Sequence, residues 1–259
     1  MVEKEINMDI SSLLETLMRN TKLTRRQAFQ LGGLTGLSLS ALWARPVRAK
    51  SHSIFNKEVT MRLPDPVFDG NTSVEKTIKH RRTVRSYSGE SITLAHLSQI
   101  LWAAQGITED GGFKRAAPSG GALYPIDVYA AVGQGGVQGL REGVYRYDPS
   151  RHALEERAGI DAREDVAKAA LRQMWAAAAP VILVLTAEYG RITVKYGERG
   201  KRYAMIEVGH IGQNIFLQCD ALGLSAGIIG AFNDSKAARA ISAKKNHEPL
   251  IIMPVGWQR

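Results

Sequence analysis

The sequence predicts an α+β fold in which helices flank a mainly antiparallel sheet. The segment from Pro180 to Thr186 contains an unbroken apolar run, which is typical of a buried central strand. The segment from Lys201 to Leu222 is the longest predicted helix, and a glycine closes it. A further helix with apolar residues at helical spacing follows a capping threonine, Thr93, and ends at Gly106.

The remaining predicted elements are shorter. A helical segment is predicted from Ser73 to His80, and a glycine-rich loop from Ile107 to Ala122. Further strands are predicted at Ile126–Val132, Gly143–Tyr147, Leu224–Ile229 and Leu250–Val255. Two more helices are predicted, one from Asp161 to about Trp175 and one capped by Asp234. Together these elements predict a single domain from residue 73 to residue 259.

The composition is that of an ordinary globular protein, with 44% apolar and 23% charged residues among 259. The net charge of +9 favours an anionic partner. The first 49 residues contain seven Lys/Arg and four Asp/Glu, so they supply +3, and the remaining +6 is spread along the chain. That distribution suits an anionic cofactor as well as a nucleic acid. The single cysteine, Cys219, excludes an intrachain disulfide and a thiolate metal cluster, and its apolar neighbours predict a core position.

The first 49 residues have the layout of an export signal. Two arginines, Arg25 and Arg26, precede an uncharged segment that extends from Ala28 to Ala44. The arginine pair with Phe29 resembles a twin-arginine signal, and small residues predict cleavage after Ala49. We therefore expect a periplasmic protein that uses the twin-arginine export machinery, and the alternative is an uncleaved membrane anchor. Residues 50–72 are expected to form an extended arm, since two prolines there disfavour a helix.

The densest cationic segment follows the first predicted helix. Arg81, Arg82 and Arg85 place three guanidiniums within five residues, and Thr83 adds a hydroxyl. Guanidiniums bind phosphate with paired N–H groups, and a neutralising anion relieves their mutual repulsion. This segment predicts an anion site, and the alternative is a solvated basic turn.

Two glycine-containing segments offer backbone groups to a ligand. The loop from Pro118 to Pro125 holds Gly120 and Gly121, which permit close approach of backbone N–H groups. The segment from Gly227 to Gly230 is too short for a dinucleotide fingerprint. A structural turn explains the glycines of the first loop equally well, and the second segment alone is a weak signal.

Polar residues also mark one face of the long predicted helix. Glu207, His210, Gln213 and Asn214 fall at intervals that place them near one another. A carboxylate and an imidazole at this spacing can ligate a metal, yet the sequence offers no third ligand nearby. We predict polar packing across a helix pair or a subunit interface, and no metal site. No nucleophile motif is present in the sequence.

Taken in order, these segments resemble the nitroreductase superfamily of flavin enzymes. The resemblance extends from about Ser73 to Gly256. It rests on Arg81–Tyr87, Pro118–Pro125, Gly209–Asn214, Ala221–Leu224, Gly227–Gly230 and Pro254–Gly256. The Pro-Ser-Gly-Gly-Ala-Leu-Tyr-Pro form of the second segment is most similar to the SagB/ThcOx-type branch. The resemblance implies a nitroreductase-like fold and one FMN per active site at a homodimer interface.

The resemblance also implies roles for individual residues. Arg81 would contact the FMN phosphate, Arg82 and Thr83 the phosphate, ribityl chain or ring edge, and Arg85 the N1/O2 edge of the flavin. Ser119 and Gly120 would pack on the flavin from the partner subunit, and an N–H of Ile229 or Gly230 would point at N5. Many relatives have a further cationic phosphate clamp beyond this point; here either Arg259 would replace it, or Arg81 and Arg82 alone would hold the phosphate. The further residues implied to line the site are Pro118, Gly121, Gln213, Gly227 and Ile228.

The resulting functional hypothesis is an exported FMN-dependent oxidoreductase. A donor would reduce the flavin, and an acceptor such as a nitro or quinone compound would reoxidise it. No side chain is required as an obligate acid or base. The alternatives are a SagB-type dehydrogenase of azoline rings in peptides, a flavin-binding protein without turnover and a basic nucleic-acid binder; we expect no nucleic-acid partner. The Lys-Tyr pair of the SagB branch is interrupted here, as Lys201-Arg202-Tyr203.

Overall fold

A seven-stranded antiparallel sheet forms the centre of the protein, whose computed structural model describes residues 60–259. The strands are β1 Thr60–Arg62, β2 Ile126–Val132, β3 Gly143–Asp148, β4 Ala153–Ala158, β5 Val181–Ala187, β6 Ser225–Ala226 and β7 Glu248–Gly256. Their spatial order is β1-β4-β3-β2-β5-β7-β6, and every pairing is antiparallel. The predicted fold class is therefore confirmed, and β5 is the buried central strand that its apolar sequence predicts.

Six helices surround the sheet in the described part of the chain. They are α1 Val74–His80, α2 Leu94–Gln105, α3 Arg163–Ala169, α4 Gly190–Tyr196, α5 Arg199–Ala221 and α6 Asp234–Ala240. The predicted cap is confirmed at Thr93, whose side chain accepts a hydrogen bond from the N–H of His96. The cap of α6 is Asn233 rather than Asp234, since the Asn233 side chain accepts from the N–H of Lys236. Within residues 60–259 no helix is long and apolar enough to cross a membrane. The predicted export signal lies outside the described residues.

The sheet has a hydrophobic core on each face. Alternate residues of β2 point to opposite sides, as the period of a strand requires. Val128 and Ala130 pack into the core that α2 and α5 cover, while Tyr129 and Ala131 pack into the core that α3 and α6 cover. Cys219 is fully buried in the first core, as its apolar neighbours predict.

The helix predicted from Asp161 to Trp175 is wrong in its length. It ends at Ala169, because Leu171 and Arg172 adopt left-handed backbone conformations with φ of 53° and 60°. A 3₁₀ turn at Met174–Ala178 follows and brings the Trp175 ring to a stacked position 6.5 Å from the Tyr87 ring. A tertiary contact thus replaces the local helical pattern.

Three elements were not predicted from the sequence. β1 lies within the expected extended arm and pairs with β4 at the edge of the sheet. β4 contains two glutamates, but Glu155 is buried because Arg146 on the neighbouring strand lies 2.5 Å from its carboxylate. The third element, α4, contains β-branched residues that do not favour a helix.

The strand predicted at Leu224–Ile229 is shorter in the structure. Within this segment only the two residues of β6 pair regularly with β7. Ile229 forms an isolated bridge with Ile252 further along β7. At Gly227 a Cβ atom would lie 2.7 Å from the carbonyl oxygen of Val84, so this close approach of the two backbones requires a glycine.

Candidate functional site

The first arginine of the cationic segment is held between two helices. Arg81 is the C-cap of α1, and its N–H donates a 2.8 Å hydrogen bond to the carbonyl of Thr77. Its guanidinium lies 5.3 Å from the centroid of the Phe216 ring on α5. This cation–π contact fixes the direction of the side chain without neutralising its charge.

The rest of the cationic segment is fastened to the end of the sheet. Thr83 forms a parallel bridge with Ala226 of β6, and the N–H of Val84 donates to the carbonyl of Ala226 over 3.0 Å. The buried Tyr87 hydroxyl lies 3.0 Å from the carbonyl oxygen of Pro254 on β7. The segment thus has a defined position relative to both β6 and β7.

The three arginines of this segment differ in their surroundings. The Nη1 of Arg82 donates to the carbonyls of Lys79, over 2.8 Å, and of Arg81, over 2.9 Å. Arg82 therefore stabilises the C-terminus of α1. This role is separate from the cofactor contact that the resemblance implies. Neither Arg81 nor Arg85 forms an ion pair within residues 60–259. Within this part of the chain these two guanidiniums keep all their N–H groups for an anion, whereas Arg82 uses its Nη1 at the end of α1 and keeps its other nitrogens.

A small cavity of about 90 Å³ opens beside Arg81. Arg82, Ser225, Gln258 and the acidic Asp220 also line it. The backbone N–H of Arg259 donates to the carbonyl of Ser86 over 3.2 Å, so the C-terminal residue lies next to the cationic segment. The residues present here fit an anionic group, because two guanidiniums and two neutral hydrogen-bonding side chains outnumber the one carboxylate.

The segment from Gly227 to Gly230 lies at the same end of the sheet. Gly227 belongs to the packing of the fold, since its N–H donates to the carbonyl of Pro254 over 2.9 Å. The N–H of Ile229 donates to the carbonyl of Ile252 over 2.8 Å, so the expectation that it points at a ligand is wrong. Ile228 packs against the core. Gly230 is exposed with open space around its Cα, which leaves its N–H as the candidate donor.

The Pro118–Pro125 loop is rigidly held against α5. It contains a 3₁₀ turn in which Gly121 has a φ of 65°, a conformation that favours glycine. The hydroxyl oxygen of Ser119 accepts a 2.9 Å hydrogen bond from the N–H of Tyr124. The guanidinium of Arg115 lies 4.1 Å from the centroid of the Tyr124 ring. These contacts preorganise the loop whether or not a ligand is present.

A second pocket, of about 170 Å³, lies between this loop and α5. Pro118, Ser119 and Gly120 line one side, and Glu207 and His210 are among the α5 residues of the other. The cationic segment and the loop thus line two different cavities within one chain.

Glu207 is the buried acid of this second pocket. Its side chain is 1% exposed, and its Oε1 accepts a 3.1 Å hydrogen bond from the Nε2 of Gln105 on α2. Its Oε2 has no hydrogen-bond partner within the described residues. Burial raises the pKa of Glu207 to about 7.

The predicted polar packing of the long helix is confirmed for two of its four residues. Glu207 binds α2 through Gln105, and the Nδ2 of Asn214 donates to the carbonyl of Ala103 over 3.0 Å. His210 and Gln213 are exposed on α5. Sequence reasoning did not find Gln105 or Arg115, because nothing local shows that their side chains meet Glu207.

A separate cluster of ionisable groups lies at one end of β2, β5 and β7. Asp127, Glu188 and His247 place ligand-type atoms within 4.8 Å of one another. The Nη2 of Arg191, however, lies 2.7 Å from a carboxylate oxygen of Asp127 and 2.7 Å from one of Glu188. Arg146 also contacts Asp127, at 3.2 Å. Because guanidiniums already neutralise the carboxylates, this cluster is a salt-bridge network rather than a metal centre.

Comparison with known protein families decides the identity of this arrangement. The model of the Nitroreductase family matches residues 78–257, which contain every segment of the candidate site. The chain belongs to the nitroreductase family. Nitroreductases are flavin-dependent oxidoreductases, so the chain is an enzyme of that class.

Individual nitroreductase relatives agree with this assignment. A Methanocaldococcus jannaschii protein that bears the name nitroreductase is 43% identical over 197 residues, which cover 76% of this chain and 96% of the relative. The microcin B17-processing protein McbC of Escherichia coli is 28% identical over 211 residues, covering 78% and 76% of the two chains. A nitroreductase crystal structure from Ralstonia eutropha JMP134 is 27% identical with a TM-score of 0.66, and the match covers 87% of this chain and 99% of that one.

Proposed function

We propose that this nitroreductase uses FMN and transfers hydride in two steps, from a donor to the flavin and then to an acceptor such as a nitro or quinone compound. The observation that carries the proposal is the pair of arginines without acidic partners, Arg81 and Arg85, which are fixed at the end of β6. Two unpaired guanidiniums on one short segment form a positive surface that attracts an anion with phosphate-like geometry.

The chain's own residues would divide the work of binding this cofactor. Arg81 lies beside the small cavity and would hold the phosphate. Arg85 would face the pyrimidine edge of the flavin, where a cation stabilises negative charge. The free N–H of exposed Gly230 would donate toward N5. When bound, FMN supplies the hydride chemistry, and the protein supplies orientation and electrostatics.

The proposed enzyme is a homodimer, because the exposed face of α5 is unusually apolar. Met205 is 48% exposed and Ile206 is 50% exposed, and Gly209 and Gln213 continue the same exposed face. Large apolar side chains with a glycine on one helix face suit close contact with a second helix. A second copy would bring its Pro118–Gly121 loop and its pocket to the cofactor.

Sedimentation and absorbance of the purified protein test the proposed dimer and the proposed cofactor together. We expect a dimer in sedimentation that carries one flavin per chain, with absorbance bands near about 370 and 450 nm. Anaerobic addition of donors, NADH, NADPH and quinols among them, should bleach the 450 nm band. A protein that carries no flavin after purification and after incubation with FMN would contradict the cofactor. A flavin-loaded monomer would contradict the dimer.

A second candidate function is the dehydrogenation of azoline rings in peptides, which the SagB resemblance and the similarity to McbC favour. Tyr203 lines the pocket beside Ser119, as one member of a Lys-Tyr pair would. Lys201, in contrast, is exposed and its Nζ lies 2.8 Å from a carboxylate oxygen of Glu198. Flavin reduction by an azoline-containing peptide, and not by nicotinamides or quinols, would favour this candidate.

Export by the twin-arginine route is proposed from Arg25 and Arg26, which precede the uncharged segment. Changing both to lysine should keep the protein in the cytoplasm, measured by fractionation, because that machinery reads the arginine pair rather than the charge. Changing Arg45 and Arg48 to lysine alters the same number of arginines and should leave export unchanged. Equal periplasmic yields of both variants would contradict the proposal.

A further inference from the structure

A buried polar chain ends at Glu207 behind the Pro118–Gly120 side of the second pocket. The Nη1 of Arg115 donates to the Oε1 of Gln105 over 3.3 Å, and the Nε2 of Gln105 donates to the Oε1 of Glu207 over 3.1 Å. A guanidinium has no acceptor, so it fixes which end of the Gln105 amide faces Glu207. Gln105 itself is 1% exposed. The chain therefore satisfies only one of the two carboxyl oxygens.

The second carboxyl oxygen of Glu207, Oε2, lacks a partner of this kind in the described part of the chain. Oε2 has no hydrogen-bond partner within residues 60–259 and is shielded from solvent. Burial raises the pKa of Glu207 more than the nearby Ser119 hydroxyl and the N–H of Ile126, which favour the charged carboxylate, lower it. An unsatisfied carboxylate in such a place is costly, and protonation removes most of that cost. Because its pKa is close to 7, a small change in local charge switches its protonation.

Few other charges act at this position. Arg115 is the charged group that faces Glu207 from the loop after α2. His210 and Tyr203, on the same helix, line the pocket with it. On β2 the nearest acid is Asp127, which Arg146 and Arg191 already neutralise. A negative charge that enters the pocket would therefore act on Glu207 and on the imidazole of His210, and a variant at Glu207 separates the two groups.

We propose that Glu207 is a positioning residue that takes up a proton when negative charge develops in the pocket, with Ser119 as the contact between them. The proposal rests on the proposed function, in which the reduced flavin supplies that charge. Reduction to the anionic flavin would take up two electrons and one proton at the flavin, and one additional proton from solvent would bind Oε2 of Glu207. Reoxidation reverses both transfers. The proton on Glu207 would offset the negative charge of the reduced flavin. No side chain would take part in the hydride transfer itself.

The test measures the reduction potential of the flavin-loaded protein between pH 6 and pH 9, with dithionite as reductant. Above about pH 7 the potential of the wild-type protein should fall more steeply with pH, by one additional proton per two electrons. Glu207→Gln keeps the shape of the neutral acid and should lose that additional proton. Glu198→Gln changes an exposed glutamate just before α5 and should behave as wild type. Identical slopes for wild type and Glu207→Gln would overturn the proposal.

A second measurement, the pH dependence of stability, tests whether Glu207 is protonated in the protein without flavin. The pKa of Glu207 is raised above that of an unfolded glutamate, so its contribution to stability is complete below about pH 4.5 and is lost as the pH rises to about 7. Over that range the unfolding equilibrium constant of the wild-type protein should rise on the order of 100-fold relative to Glu207→Gln.

The two measurements fail in different ways. A protein that binds no flavin overturns the proposed function, and the stability profile still tests whether Glu207 holds the proton. Parallel stability profiles for wild type and Glu207→Gln would overturn the assignment of Glu207, even in a protein that binds flavin normally.

Discussion

Replacing Arg146 with alanine should lower the free energy of unfolding by about 3 kcal/mol. Its guanidinium lies 3.2 Å from Asp127 and 2.5 Å from Glu155, whose side chains are 6% and 4% exposed. Removing the cation leaves two carboxylates in the interior of the sheet, where an uncompensated charge is costly. The expected value is at the lower end of the range for broken buried pairs, because Arg191 and Arg151 still contact the two acids. Urea denaturation of the purified variants measures it.

Arg141 provides the matched control for this prediction. It pairs with Glu156, also on β4, but its side chain is 79% exposed. Solvent screens such a pair, so Arg141→Ala should change the free energy of unfolding by less than about 1 kcal/mol. Equal losses for Arg146→Ala and Arg141→Ala would show that burial does not set the strength of the Arg146 contacts.

Replacing Arg81 with alanine should weaken FMN binding about 10- to 150-fold, which corresponds to about 1.5–3 kcal/mol for hydrogen bonds to a charged group. A phosphate carries the same charge in both oxidation states, so the reduction potential of bound flavin should change little. Arg85→Ala should instead lower the potential, because a cation at the pyrimidine edge favours the reduced form. For a two-electron couple each fall of about 30 mV corresponds to about 1.4 kcal/mol of lost differential stabilisation.

Fluorescence titration with FMN and spectroscopic redox titration separate the two roles. Arg82→Ala tests the neighbouring guanidinium, whose Nη1 donates to the carbonyls at the end of α1. It should change the stability of α1 more than the affinity for FMN. The assignment of the two arginines is wrong if Arg85→Ala changes only affinity or if Arg81→Ala changes the potential.

Segments with strong local signals were predicted well from the sequence. β2 has the predicted bounds, and α5 differs from its predicted limits by two residues at the start and one at the end. Errors occurred where a distant contact overrides local preference. Trp175 leaves the helical pattern to stack on Tyr87, and the glutamates of β4 form a strand because Arg146 neutralises Glu155. Hydrophobic periodicity carries no information about either partner.

The sequence by itself determined the family and the fold, because the cationic segment, the glycine loops and the long helix occur in the order that nitroreductases share. Only the tertiary structure decided which polar groups remain available. It commits the N–H of Ile229 to Ile252 and the guanidinium of Arg82 to the end of α1. Among residues 60–259 it gives Arg81 no ion pair with an acidic side chain and gives Oε2 of Glu207 no hydrogen-bond partner. The reason is that a hydrogen bond depends on which groups meet in space, and these groups lie far apart along the chain or compete for the same partners.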